Sequence, residues 1–160
     1  MHTELYIDGA WRKGGGESFA SHDPVSGDIV WIGRAGDVED VAEAMAAARL
    51  AFPGWSRRPL DERVAIVRAF GKEIESRAEV IARTISREMG KAHCDAKSEV
   101  QAMLGKVELS IRAQAERAGA KEEKAAFGAT ALSHHAHGVL AVFGPFNFPG
   151  HLPNGHIVPA

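Results

Sequence analysis

Cysteine is almost missing from this sequence, since its 160 residues contain a single one, Cys94. One cysteine excludes an internal disulfide and the paired-cysteine spacing of zinc sites. No apolar run approaches the ~20 residues that a membrane-spanning helix needs. The first residues also lack the basic and then apolar pattern of a secretory leader. We therefore expect a chain without disulfides or membrane spans, located in a reducing cytoplasm.

An excess of charge of one sign is missing as well. The chain carries 19 Lys and Arg against 21 Asp and Glu, interspersed along its length, for a net charge of −2. A nucleic-acid or membrane-surface partner is therefore not expected. Phosphate-binding glycine fingerprints are missing too. Gly14-Gly15-Gly16 lacks the Lys-Ser/Thr of a P-loop, and residues 138–144 contain no G-x-G-x-x-G.

What is present is typical of a globular domain: hydrophobic residues make up 45% of the chain and charged residues 25%. The sequence ends on Ile157-Val158-Pro159-Ala160, shortly after an apolar run that resembles a strand. A parallel strand needs a crossover of a dozen or more residues and a second strand. We therefore expect this chain to be the front part of a longer protein.

Residues 1–36 predict a small β-meander. Asp8-Gly9, with β-forming residues on both sides, is a strong hairpin signal, because both turn positions favour positive φ. Asp23-Pro24 begins a second turn, and residues 29–32 predict another strand.

Residues 37–118 predict a helical part with four helices. Asp37 is a suitable N-cap for the first helix, and Pro53-Gly54 is expected to end it. The second helix follows Pro59. The third covers about residues 78–89, and Gly90 suits its left-handed terminus.

The fourth helix is expected from about residue 95 to residue 117. Lys106 and Arg112 on it either face solvent or attract an anionic substrate. Each of the four helices carries an apolar stripe at helical spacing, which predicts a core position. The stripes include Val38, Val41, Met45, Ala48 and Phe52; Leu60, Val64, Val67, Phe70 and Ile74; Val80, Ile81, Thr84 and Ile85; and Val100, Met103, Leu104, Val107 and Ile111.

Residues 119–137 are interpreted as a connector followed by a strand: 119–128 are polar, and 130–137 partly alternate. Residues 138–143 are apolar and bounded by Gly, which predicts a buried strand. An irregular loop with Gly, Pro and aromatic residues follows and contains one polar side chain, Asn147. Ligands of α/β sheets bind beyond the carboxyl ends of the strands, where this amide is placed. The alternative is a turn in which Asn147 caps its own backbone.

Two other candidate sites are weak. His135 and His137 would share one strand face while His134 points away, and two ligands do not complete a metal site. We therefore expect solvated or interface histidines and no metal. Cys94 lies near a helix start, but the adjacent Asp95 opposes thiolate formation, so it is interpreted as a structural residue.

Residues 138–149, Gly-Val-Leu-Ala-Val-Phe-Gly-Pro-Phe-Asn-Phe-Pro, resemble the first Rossmann strand and the following loop of the aldehyde dehydrogenase superfamily. Most members have Trp where this chain has Phe146. The resemblance covers essentially the whole chain and includes the Asp-Gly hairpin, Asp23-Pro24-x-x-Gly27, Phe52-Pro53-x-Trp55, Arg63 and Glu88-x-Gly90-Lys91. It implies an α/β fold with a β-meander, four helices and the incomplete start of a Rossmann-type cofactor domain at residues 138–160.

One departure narrows the resemblance. Most members continue after Asn-Phe-Pro with an apolar helix bearing Trp-Lys, whereas residues 150–160 here read Gly-His-Leu-Pro-Asn-Gly-His-Ile-Val-Pro-Ala. This segment is similar to the branch that oxidises N-succinylglutamate 5-semialdehyde in the arginine succinyltransferase pathway of bacteria. The alternatives are a dehydrogenase for another semialdehyde and a non-catalytic assembly module with the same front half.

The resemblance also implies residue roles. Asn147 matches the side chain that donates to the oxyanion, and Phe148 matches a residue of the aldehyde channel. The expected contacts with the cofactor, NAD, are Phe143, Gly144, Pro145 and Phe146. The nucleophilic Cys and the general-base Glu of the family match positions after residue 160, so the chain alone is expected to be inactive. The family oligomerises through a β-arm, into which residues 132–137 lead, so the parent enzyme is expected to be a homo-oligomer.

Overall fold

The computed structural model describes residues 4–160. It begins with strands β1 (Leu5–Ile7) and β2 (Ala10–Arg12), which pair antiparallel, and β3 (Ser18–His22) and β4 (Ile29–Arg34), which also pair antiparallel. Asp8 and Gly9 have φ of 50° and 78°, as the predicted Asp-Gly hairpin requires.

The small β-meander predicted for this region consists of these two hairpins, which form two separate sheets. The glycine run between β2 and β3 packs against the end of β4 and does not make a tight turn. Gly16 N donates to Ala35 O at 2.9 Å, and Arg34 Nε donates to Gly14 O at 2.9 Å.

The four predicted helices are confirmed. They are α1 (Val38–Arg57), α2 (Leu60–Ser76), α3 (Ala78–Met89) and α4 (His93–Ala113). Asp37 begins α1 with a reciprocal capping box, in which its carboxylate accepts from Asp40 N at 2.9 Å and the Asp40 carboxylate accepts from Asp37 N at 3.1 Å. Gly90 ends α3 at φ 62°, in the predicted left-handed conformation.

The boundaries of two helices differ from the prediction. Pro53 lies inside α1, which continues to Arg57. A proline this close to the end removes one backbone hydrogen bond and still permits a last turn. Helix α4 begins at His93 and ends at Ala113, after which a π-helical turn covers Gln114–Ala118.

The core lies between α2, α3 and α4. Its buried residues are Ile74, Ala82, Ile85, Ala96, Val100 and Met103. The prediction that the stripe of α1 belongs to a core is wrong for this chain, since no residue of α1 is buried and Val38 is 79% exposed. Within residues 4–160, α1 packs beside β1 of the first hairpin, which is too small to cover the stripe. Val80 of α3, also expected inside, is exposed.

The connector contains an unpredicted hairpin. Strand β5 (Lys121–Ala125) pairs antiparallel with β6 (Gly128–Leu132), and every residue of both strands is exposed. The predicted strand at 130–137 is therefore wrong in its bounds. Because β5 is charged along most of its length, it shows no alternation of apolar and polar residues that would have revealed it.

Residues 138–144 do not form the predicted buried strand. They have no regular secondary structure, and Phe143 is 92% exposed. A strand requires a neighbour that pairs with its backbone, and none of the strands within residues 4–160 pairs with this segment.

A short helix, α5 (His151–Ile157), follows the Asn147 loop and packs across α4. Pro153 is tolerated because it lies in the first turn, where its missing N–H has no helical acceptor. The buried Asn154 donates from Nδ2 to Met103 O at 3.0 Å, which joins α5 to α4. None of the helices in the described residues is both long and apolar enough to cross a bilayer.

Candidate functional site

Asn147 lies at the edge of an open groove of about 720 Å³ between α4 and the segment that leads into α5. We call this the α4 groove. Its walls include Ser98, Glu99 and Ala102 on α4, and Asn147, Phe148 and His151 opposite. The groove exists because α5 holds the end of the Asn147 loop against α4.

Lys91 joins the α3–α4 junction to this loop. Its position follows from Gly90, whose left-handed backbone turns the chain at the end of α3. Lys91 Nζ donates to Glu99 Oε2 at 2.7 Å and to the backbone oxygen of Asn147 at 2.8 Å. The same ammonium lies 4.2 Å from the centre of the Phe148 ring, within the range of a cation–π contact.

Glu99 completes the connection from the α4 side. Its Oε1 accepts from Gly150 N at 2.9 Å and from His151 N at 3.1 Å, so both carboxylate oxygens are engaged. The side chain is 0% exposed. Burial by itself would raise the pKa of Glu99, but the hydrogen bonds from Lys91 and the two backbone N–H groups outweigh burial and lower the pKa below its usual value. Glu99 is therefore charged at neutral pH.

Gly150 allows the loop to approach α4 closely enough for these bonds. A methyl group on its Cα would lie 2.6 Å from Met103 Sδ and 3.4 Å from Glu99 Oε1. Any other residue would push the loop away from α4 or displace buried side chains.

We expect Gly150→Ala to lower the free energy of unfolding by about 1–3 kcal/mol, because the added methyl overpacks the contact with Met103. Urea unfolding measures the change. The matched control is Gly155→Ala on α5, where a methyl meets nothing closer than Lys106 Cε at 3.6 Å. Alanine favours a helix over glycine, so the control should be neutral or stabilising. Equal losses in both variants would contradict the close-approach explanation.

The structure brings Asn147 and Phe148 together at the α4 groove. The alternative in which Asn147 caps its own backbone is not observed, since no hydrogen bond involves its side chain within residues 4–160. The predicted cofactor contacts lie before the groove on an exposed segment, where Phe143 is 92% and Phe146 is 83% exposed. Gly144 lies against Pro153 of α5, as shown by the overlap that a methyl group on Gly144 would have with Pro153 Cγ.

Sequence reasoning did not assign a role to Lys91, Glu99, Gly150 or His151. One signal was available for Glu99. It lies within the apolar stripe of α4, beside Ala96, Val100 and Met103, all of which are buried. A carboxylate in such a stripe must find partners, because an unpaired buried charge is very costly.

The remaining candidates lie elsewhere. His134, His135 and His137 are exposed and have no regular secondary structure. No group of three or more His, Cys, Asp or Glu in the described residues is arranged to hold a metal ion. Cys94 is exposed in the first turn of α4. Lys106 and Arg112 are not among the residues that line the α4 groove.

Comparison with known proteins places the family profile and the similar sequences in one family. The sequence profile described as "Aldehyde dehydrogenase family" matches residues 11–160. N-succinylglutamate 5-semialdehyde dehydrogenase 2 of Caulobacter vibrioides is 53% identical over 160 residues, which are 100% of this chain and 33% of that protein. The N-succinylglutamate 5-semialdehyde dehydrogenase of Burkholderia mallei is 52% identical over 158 residues, which are 99% of this chain and 32% of that protein. The chain thus spans about a third of the length of these relatives.

Solved structures show the same fold. The NADP-dependent glyceraldehyde-3-phosphate dehydrogenase from Bacillus halodurans, complexed with NADP, superposes with a TM-score of 0.87 at 25% identity. That match covers 96% of this chain and 34% of the other. An NAD-dependent benzaldehyde dehydrogenase from Corynebacterium glutamicum has a TM-score of 0.70 at 21% identity, covering 78% of this chain and 27% of the other.

Proposed function

Because the chain belongs to the aldehyde dehydrogenase family, we propose that it is the N-terminal part of an NAD-dependent enzyme that oxidises N-succinylglutamate 5-semialdehyde to N-succinylglutamate. Relatives with that name are 50–53% identical over 99–100% of the chain, which supports this substrate. The reaction belongs to bacterial arginine catabolism through the succinyltransferase pathway, and we propose a cytoplasmic location for it.

The observation that carries the proposal is the placement of Asn147. Its side chain is exposed at the α4 groove, and it makes no hydrogen bond within residues 4–160. When a nucleophile adds to an aldehyde, the carbonyl oxygen gains a negative charge. We assign the Asn147 amide as the donor that stabilises this oxyanion. The amide remains neutral and transfers no proton, so its contribution depends on its orientation.

Phe148 is assigned to the aldehyde channel. Its ring lies beside Asn147, lines the α4 groove and is 42% exposed. The Lys91 ammonium covers one face of the Phe148 ring. An apolar wall at this place suits the carbon chain of a semialdehyde whose reactive end points to Asn147.

We assign Phe143, Gly144, Pro145 and Phe146 to the cofactor side of the loop. The two exposed Phe rings fit an apolar contact with the flat nicotinamide ring. The segment carries no cationic side chain for the phosphates, so these residues fit one part of a dinucleotide. When bound, NAD supplies the acceptor for the hydride that leaves the aldehyde carbon. In the complete protein, residues 138–144 would form the first strand of the cofactor domain.

We include homo-oligomerisation in the proposal. The β5–β6 hairpin is exposed along both strands and lies in the part of the chain that resembles the oligomerisation arm of the family. Paired strands with free edges suit addition to another sheet. Sedimentation velocity of the full-length protein checks this, and a monomer at micromolar concentration would contradict it.

We expect the full-length polypeptide that carries this chain to reduce NAD when given N-succinylglutamate 5-semialdehyde, with a higher kcat/KM than for a short aliphatic aldehyde. The absorbance of NADH follows the reaction. A preference for another semialdehyde would reject the substrate, and no turnover with any aldehyde would favour an assembly module. The 160-residue chain alone should produce no NADH, and turnover by it would contradict the assignment of its residues.

A further inference from the structure

The segment from Asn147 to His151 is anchored by two side chains that have no assigned role in the reaction. We propose that Lys91 and Glu99 are positioning residues: the buried ion pair fixes the backbone of residues 147–151 and thereby orients the Asn147 amide toward the α4 groove. The inference rests on the proposed function for the catalytic use of Asn147.

The anchoring contacts involve the backbone of Asn147 and the residues that follow it. Lys91 holds the backbone oxygen of Asn147 itself at 2.8 Å, which fixes the peptide plane that follows its Cα. The ammonium also contacts the ring of the next residue, Phe148. Glu99 then holds the N–H groups of Gly150 and His151 at 2.9 and 3.1 Å. The Asn147 side chain has no hydrogen bond of its own in the described chain, so its direction depends on this backbone.

A direct chemical role for Glu99 does not fit the geometry. Its side chain is 0% exposed, one oxygen accepts from Lys91, and the other accepts two backbone N–H groups. A general base needs an oxygen within reach of the substrate proton. Here both oxygens are directed at the protein, so the carboxylate acts through the loop.

A purely structural role of Glu99 can be distinguished from a positioning role. The core residues Val100, Met103 and Val107 already pack α4 within the helical part of the chain. The Glu99 carboxylate instead extends from α4 to the loop that carries Asn147. The two roles make different predictions when Asn147 is absent, because a positioning residue then has nothing to orient.

The test is a double-mutant cycle in the full-length protein with Glu99→Gln and Asn147→Ala. Glutamine keeps the shape and one acceptor but weakens the bonds to Lys91 and the loop. We expect Glu99→Gln alone to lower kcat by about ten-fold with a KM change under about two-fold, since small misplacements of a catalytic group are costly. In the Asn147→Ala background the same change should alter kcat by less than about two-fold. An equal loss in both backgrounds would overturn the proposal.

Lys91→Met tests the other partner and should reproduce the same non-additive loss. The matched control is Glu108→Gln, also on α4. Its partner is Arg68 at 2.8 Å, its side chain is 65% exposed, and it makes no bond to the loop. We expect wild-type kcat for this control, and a ten-fold loss in it would overturn the specific role of Glu99.

A second readout does not depend on activity. Hydrogen–deuterium exchange of Gly150 and His151 amides should accelerate by about five-fold in Glu99→Gln and not in Glu108→Gln, because a neutral acceptor binds these N–H groups less strongly than a carboxylate. Unchanged exchange would overturn the proposal. If the full-length wild type lacks dehydrogenase activity, the proposed function fails, while faster exchange would still support the fixing of this loop by Glu99.

Discussion

Replacement of Asn147 by Ala is expected to lower kcat of the full-length protein by about 10²- to 10³-fold, the usual loss for one oxyanion donor. The amide interacts with charge that develops during the reaction. Therefore kcat and kcat/KM should fall together while KM changes little. Steady-state production of NADH from the semialdehyde measures all three quantities.

The fold should tolerate this change, because the Asn147 side chain is exposed and its backbone oxygen still accepts from Lys91 in the variant. Thermal unfolding of Asn147→Ala should match the wild type. The control is Gln101→Ala, which removes an exposed amide from a different recess, near Glu79 and Lys97. A loss below about five-fold in Asn147→Ala, or an equal loss in the control, would reject the assignment of the oxyanion donor.

Glu99→Ala is expected to lower the free energy of unfolding by about 3–5 kcal/mol, the range for breaking a buried ion pair by removing one partner. The change leaves Lys91, which is 16% exposed, without its carboxylate, and it leaves Gly150 N and His151 N without an acceptor. Urea unfolding followed by circular dichroism measures the loss.

A second glutamate on α4, Glu108, shows whether burial or charge alone determines the loss of stability. The Arg68–Glu108 pair is exposed, with side-chain exposures of 53% and 65%, so Glu108→Ala should lower the free energy of unfolding far less than Glu99→Ala does. Similar losses in the two variants would show that the buried position of Glu99 does not determine its contribution.

The contribution of Glu99 should also depend on pH. Its pKa in the folded protein is below the ordinary value of 4.5, because the bonds from Lys91 and the loop outweigh burial. A carboxyl group with a lowered folded pKa stabilises the fold above its unfolded pKa, and this contribution is lost as pH falls through the folded pKa. The difference in stability between wild type and Glu99→Gln should therefore be largest near neutral pH and shrink below about pH 4.5. A difference that does not vary with pH would contradict this.

Much of the fold could be predicted because its signals are local. Asp8-Gly9 specifies a hairpin, Asp37 caps a helix, and Gly90 adopts positive φ at a helix end; each depends on residues within one turn. The stripes of α2, α3 and α4 predicted four of the six residues of the observed core, Ile74, Ile85, Val100 and Met103. The strand predicted at 138–144 and the burial predicted for α1 could not be tested against local signals, because both depend on partners that are distant in sequence.

The residues of the candidate site also fall into two groups, one visible in local sequence and one brought together only by the fold. Asn147 was singled out as a candidate from its neighbours, Phe146 and Phe148, and its proposed role comes from the family motif. The pair that anchors it was not, because Glu99 is 51 residues from Gly150 and Lys91 is 56 residues from Asn147. Spacing along the chain carries no information about such contacts.

The sequence by itself determined the helices, the first turn and the identity of the polar residue in the loop, since these follow from backbone preferences and short motifs. The tertiary structure alone decided which side chains hold that residue in place. Packing of α5 across α4 brings a buried carboxylate and a lysine to the same few backbone groups. A buried charge is tolerated only where such partners surround it in three dimensions.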